Sequence, residues 1–90
     1  MPNEKTMPAV IREPGIGIER TSGVCGGSAR IAGTRITVWQ LVAARNLDVS
    51  EDQLLIDYPT LRAEDLVNAW SYAGSHPAEI DAEIRDNEDA

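Results

Sequence analysis

The chain has 90 residues, 42% of them hydrophobic and 26% charged, and a net charge of −7. That length allows one small domain with a modest core, because about 60–65% of the unfolded surface is buried at this size. No apolar run approaches the ~18 residues of a membrane span, and no basic-then-apolar leader opens the chain, so the expected location is cytoplasmic. One cysteine, Cys25, and one histidine, His76, exclude an internal disulfide and a zinc site. The charge is uneven: residues 1–45 hold six basic and three acidic residues, whereas residues 46–90 hold two basic and twelve acidic ones. The basic half suits nucleic acid, and the acidic half suits either a basic protein or plain solvation.

Residues 1–15 carry Pro2, Pro8 and Pro14 with no sustained period, and are expected to be a flexible arm. Ile16 and Ile18 alternate with Gly17 and Glu19 as a short strand. A turn-rich Gly23-Val24-Cys25-Gly26-Gly27 follows, and Arg30 to Ile36 completes an irregular β-hairpin or pair of strands. Gly17 and Gly33 weaken both strands, which therefore need an element to pack on.

Thr37 and Gln40 have the spacing of a capping box, and Ile36 and Leu41 that of a hydrophobic staple. Val38, Leu41, Val42 and Arg45 then share one helical face, with Asn46 as the expected left-handed stop. Ser50 caps a second helix with Gln53 at N3 and Val49 stapled to Leu54. Tyr58 ends it, because a residue before proline avoids the helical region. A third helix runs from Leu61 or Ala63 to Ala73. Its stripe is Leu66, Ala69, Trp70 and Ala73; Glu64 and Asp65 lie in its first turn, and Gly74 stops it. Three short helices with brief connections make a trihelical bundle, the arrangement on which helix-turn-helix proteins are built. Residues 75–90 form an acidic tail in which Pro77 opens a short helix, with Ile80 and Ile84 one turn apart. Those isoleucines either fold back on the domain or anchor in another protein's groove.

The chemistry-bearing patterns are few. Gly27 to Gly33 encloses five residues where a P-loop has four, and no lysine follows. Gly15-x-Gly17 meets Arg20 where a dinucleotide fingerprint has its third glycine. His76 beside Pro77 and Cys25 beside two glycines have no visible catalytic partner, and the tail's alternating acids diverge around a helix. No catalytic residue, metal ligand or cofactor is therefore expected. Arg35 either pairs with a carboxylate such as Asp57 or meets a DNA phosphate. Arg20 and Arg30 flank the hairpin as freer phosphate candidates. On the third helix, Arg62 has the chemistry to read guanine or touch a phosphate, and Asn68 to read adenine, while Glu64 and Asp65 oppose the duplex backbone. Ser71 and Tyr72 share that outward face. Trp70 and Tyr58 read as structural, and Trp39 as a dimer contact or a prop against the hairpin.

Several segments, in order, carry a resemblance: Cys25-Gly26-Gly27, Ile31-Ala32-Gly33-Thr34-Arg35-Ile36-Thr37-Val38, Asp57-Tyr58-Pro59-Thr60-Leu61, Glu64-Asp65-Leu66, and Ala69-Trp70-Ser71-Tyr72-Ala73. Over Ile18 to Gly74 the chain resembles the family known as domain of unknown function 433, whose members resemble VapB-type antitoxins. Departures stand at Ala29, where the family has proline, at Thr21-Ser22, where it has Asp-Pro, and at Arg62, where it has a capping Thr or Ser. The resemblance implies a mostly α, homeodomain-like three-helix (helix-turn-helix) bundle preceded by a short β-hairpin over residues 16–74. It also implies a non-enzymatic, homodimeric antitoxin that neutralises a PIN-like ribonuclease and binds operator DNA. In that reading Glu79, Ile80, Glu83 and Ile84 contact the toxin, and Arg20, Arg30, Arg35, Arg62 and Asn68 contact DNA. A helix-turn-helix-shaped interaction adaptor without DNA affinity is the alternative.

Overall fold

A computed structural model of the chain describes residues 10–11 and 16–88; the rest of the expected arm lies outside the described residues. In chain order the elements are β1 (Val10–Ile11), β2 (Ile18–Thr21), β3 (Arg30–Ile31), α1 (Val38–Asn46), α2 (Glu51–Asp57), α3 (Ala63–Ser75) and α4 (Pro77–Glu88). The class is mostly helical, with short antiparallel strands before four helices.

The strands pair in the order β1-β2-β3, with Val10 opposite Thr21 and Ile18 opposite Ile31. β1 comes from the segment read as an arm, which thus supplies one edge of the sheet. The alternation read from Ile16 starts too early. Gly17 has φ +73 and turns the chain, so the strand begins after it and Ile16 is left 87% exposed. Asn68 packs so closely on Gly17 that an added Cβ would lie 2.6 Å from its Nδ2. Between β2 and β3, Cys25, Gly26 and Gly27 have φ of 51, 64 and 84, a left-handed turn affordable at two positions because they are glycine.

Helix α1 begins as the spacing predicts. Thr37 Oγ accepts from the Gln40 amide at 3.3 Å, and the Gln40 side chain accepts from the Thr37 amide at 3.1 Å. Its end differs. Asn46 stays helical and Asp48, at φ +66, takes the left-handed position. Val49 N–H bonds Ala44 O at 3.1 Å and Asp48 N–H bonds Arg45 O at 2.9 Å, a Schellman motif. Val49 and Ala44 both pack against the core, and that apolar contact selects Asp48 over Asn46.

Ser50 caps α2, its Oγ accepting from Gln53 N–H at 3.1 Å, while the Gln53 amide turns to Asp57 Oδ1 at 2.8 Å. At α3 the Asp65 carboxylate accepts from the Arg62 amide at 2.9 Å. Arginine has no acceptor, so the reciprocal half of a capping box is missing. Gly74 does not stop α3, which runs on through Ser75. Only His76, at φ −133 and ψ 51, interrupts it before Pro77 opens α4.

The core joins Ile18 and Ile31 of the sheet to Val38 and Leu41 of α1, Leu54 of α2, Leu66, Ala69 and Tyr72 of α3, and Ile80 of α4. Two placements differ from the expected α3 stripe. Tyr72, read as outward-facing, is 2% exposed, because α4 packs against α1 and α3. Trp70 is half-buried, its Nε1–H donating to Glu51 Oε2 at 2.9 Å and its ring lying 4.1 Å beneath the Arg45 guanidinium. Among the described residues, no helix is long and apolar enough to cross a membrane.

Candidate functional site

Three polar contacts and two isoleucines dock α4 on the domain. Tyr72 donates to Glu79 Oε2 at 2.7 Å, and Arg20 reaches both the Tyr72 hydroxyl and the Glu79 carboxylate. The His76 ring stacks on Tyr72 with centroids 4.1 Å apart and planes 12° apart. Burial, reinforced by the bond to Glu79 and opposed by Arg20, pushes the Tyr72 hydroxyl up to about 12. One turn on, Ser28 Oγ donates to Glu83 Oε2 at 2.7 Å. Ile80 lies between these contacts at 1% exposure, and Ile84 is half-buried against the same core.

These positions place residues 77–88 of the acidic tail, as α4, against the domain. Of the two outcomes open to Ile80 and Ile84, the chain takes the fold-back. Glu79, Ile80 and Glu83 face their own domain, so a partner meeting the docked helix meets its other side. That side carries exposed Asp81, Arg85, Asp86 and Glu88.

The expected DNA contacts also separate. Arg30, read as free, is 8% exposed; it bonds Thr21 Oγ1 at 2.8 Å, Thr34 O at 2.9 Å and the Glu19 carboxylate at 3.3 Å. Arg20 is committed to Tyr72 and Glu79. Asn68 is half-buried against Gly17 rather than projecting from α3. Of the five candidates only Arg35 and Arg62 are exposed. The pairing of Arg35 with Asp57 does not form; Asp57 accepts from Gln53 instead. The physical reason is common to Arg20 and Arg30: the sheet packs against buried or half-buried carboxylates, and a guanidinium beside a carboxylate away from water is drawn into the pair.

The acids of α2 and Glu64 of α3 point outward. Glu51, Asp52, Asp57 and Glu64 are exposed, as are the apolar Leu47 (79%), Ile56 (68%) and Val67 (63%). Val67 and Ile16 border a shallow cleft of about 220 Å³ with Asn68, Ser71 and Tyr72. Among the described residues, no group of three or more His, Cys, Asp or Glu is placed to hold a metal ion. Sequence reasoning missed Tyr72 as the centre of the α4 contact. Its signal was available: Tyr72 follows Ala69 by three positions and Leu66 by six, which widens the apolar stripe by one column.

From the first residue of β2 to Ala73 of α3, the chain matches the family described as "Protein of unknown function (DUF433)", over residues 18–73. The chain belongs to that family. Its matched region holds β2, the left-handed turn, β3 and the first three helices, and stops short of α4. The chain is also similar to the crystal structure of a DUF433 member protein from Anabaena variabilis ATCC 29413 at 2.00 Å resolution. The identity is 52% and the TM-score 0.75, over 77% of this chain and 68% of that chain. No curated protein matches the chain.

Proposed function

We propose that this DUF433 protein is a non-enzymatic, cytoplasmic antitoxin whose folded surface binds and neutralises a basic, PIN-like ribonuclease. In this reading α1, α2 and α3 form a homeodomain-like helix-turn-helix unit, α4 braces it, and the chain acts as a homodimer. The observation that carries the reading is the excess of exposed acidic over exposed basic side chains among the described residues. Arg20 and Arg30 are neutralised internally, whereas Glu51, Asp52, Asp57, Glu64, Asp81, Asp86 and Glu88 remain exposed. A nuclease that attracts phosphate presents the opposite sign, so long-range attraction favours encounter between the two. With Glu79, Ile80 and Glu83 committed to the domain, the outward face of α4 is the contact assigned to the toxin.

Operator binding is the weaker half of the antitoxin reading, and the same observation favours an adaptor without DNA affinity as its competitor. Only Arg35 and Arg62 of the expected DNA contacts are exposed, and Glu64 stands in the first turn of the helix that would enter the groove.

The test is co-expression with the neighbouring open reading frame, scoring growth and co-purification for the full chain and for a Asp81→Lys, Asp86→Lys, Glu88→Lys variant. The antitoxin reading expects rescue and co-purification by the full chain, and loss of both in the variant while its circular dichroism is unchanged. No rescue and no co-purification by the full chain would sink it. Retention on duplex DNA that weakens steeply with salt supports operator binding, and no salt-dependent retention supports the adaptor.

A further inference from the structure

The two glycine-bearing segments between β2 and α1 meet around a cleft that neither the core nor the proposed partner surface uses. It encloses about 410 Å³ beside the left-handed turn, and Cys25, Ser28, Arg35, Trp39, Gln40 and Asn87 contribute to its walls. Arg20, Arg30 and Arg45 are each held against a carboxylate or an aromatic ring. Arg35 is the arginine that lines this cleft, it is exposed, and it forms no ion pair with a described residue.

The remaining hydrogen-bonding capacity of the lining is mainly of one kind. Ser28 Oγ donates to Glu83, Cys25 Sγ donates to the Arg35 carbonyl, and Thr37 Oγ caps α1, so these groups are taken up. Gln40 uses its carbonyl oxygen on Thr37, which leaves its NH₂ group. Arg35 keeps its five N–H donors, and Trp39, also in the lining, carries an indole N–H. The helix end is not the source of these donors, since its N3 amide is already capped. No acidic side chain is among the lining residues; Glu83 lies one residue beyond, behind Ser28. A cleft lined by residues that carry a planar guanidinium, an amide NH₂ and an indole N–H is matched by a ligand group of several acceptor oxygens and negative charge.

We propose that this cleft binds a phosphate group, with Arg35 as its principal ligand and Gln40 and Trp39 as supporting donors. The phosphate is either a free phosphate or phosphomonoester, or one unit of a nucleic-acid backbone. The site does not depend on the toxin reading, and the assay below contains no toxin.

The test is a titration of the full-length ¹⁵N-labelled chain followed by NMR, first with inorganic phosphate and then with a duplex of random sequence. Phosphate is expected to shift the Trp39 indole N–H, the Gln40 side-chain NH₂ and the Arg35 Nε–H together. Arg35→Ala should weaken that response at least about tenfold, the loss of one charge-assisted bond pair. Arg45→Ala, at an exposed arginine outside the cleft with no assigned binding role, should leave it unchanged. If the duplex shifts the same signals at concentrations about tenfold lower, with an advantage that salt abolishes, the source is a nucleic-acid backbone. If phosphate shifts them and the duplex does not, the source is a free phosphate. Absence of shifts with both ligands overturns the proposal. So does an undiminished response in Arg35→Ala, or a response spread equally over all exposed arginines. Arg35 is exposed and bonds to its neighbours through its carbonyl, so the variant is expected to fold.

Discussion

The Tyr72 hydroxyl on α3 donates a 2.7 Å hydrogen bond to Glu79 on α4, and Arg20 of β2 contacts both groups. One contact therefore ties a strand, a core helix and the terminal helix. Tyr72→Phe removes the hydroxyl and leaves Glu79 facing Arg20, whereas Glu79→Gln keeps an acceptor and removes the charge. Each is expected to cost about 1–2 kcal/mol, and the double variant less than the two combined, because they share one interaction. Urea unfolding of the four chains measures this. Strict additivity would show the pair to be uncoupled.

Tyr72 holds its proton to about 12 in the folded chain, against an ordinary value of 10.0. Between these values the folded state keeps a proton that the unfolded state has released, so stability falls as pH rises through that window. Below pH 10 the contribution is fully present. Thermal unfolding from pH 9 to 12 is expected to show the loss, and Tyr72→Phe should lack this part of it. Parallel curves for the two chains would contradict the assignment.

Ile80 is 1% exposed, so Ile80→Ala is expected to cost about 2–5 kcal/mol, as for a cavity in any close-packed core. Ile84→Ala, at a half-buried site, should cost clearly less. Removing residues 76–90 uncovers Tyr72 and takes Ile80 from the core, and should lower the melting temperature far more than loss of an outlying tail.

Arg30 and Arg35 make a contrasting pair. Arg30→Ala removes a buried guanidinium that bonds Glu19, Thr21 Oγ1 and the Thr34 carbonyl, and is expected to cost about 1–3 kcal/mol. Arg35→Ala is expected to change stability by less than about 0.5 kcal/mol, as at an ordinary surface position. Chemical denaturation of both variants decides which arginine is structural.

Asp48 sits at φ +66 in the Schellman motif that ends α1. Asp48→Gly removes the side-chain clash of the left-handed region and should stabilise the chain by about 0.5–1 kcal/mol, read as a raised urea midpoint. A lowered midpoint would mean that the aspartate side chain supplies more than the backbone conformation costs.

The local grammar of the helices was legible in the sequence, because a cap needs only the next three residues. Thr37 with Gln40, Ser50 with Gln53 and Pro77 at the start of α4 all lie within one turn. The stop at Asp48 was less legible, since Asn46 and Asp48 both tolerate a left-handed backbone and only the packing of Val49 separates them. The fate of the arginines was not legible at all. Arg20 meets Tyr72 across 52 positions and Ser28 meets Glu83 across 55, distances beyond any spacing rule. A basic residue in a turn-rich segment looks free until the helix that neutralises it has been placed. For the same reason, spacing alone left open whether the acidic helix folds back or reaches a partner, and its docking on Arg20 and Ser28 decides for the fold-back.

The reversal at His76-Pro77 has a practical consequence. A proline disfavours a helical residue before it, so α3 and α4 do not straighten into one rod and α4 must return over the domain. Asn87, in its last turn, borders the Arg35 cleft. A fluorophore, affinity tag or sensor surface attached at Glu88, next to Asn87, would therefore stand near that cleft and compete for it. Probes of phosphate binding are better attached elsewhere, and a reporter placed at Asn87 would sense the cleft directly.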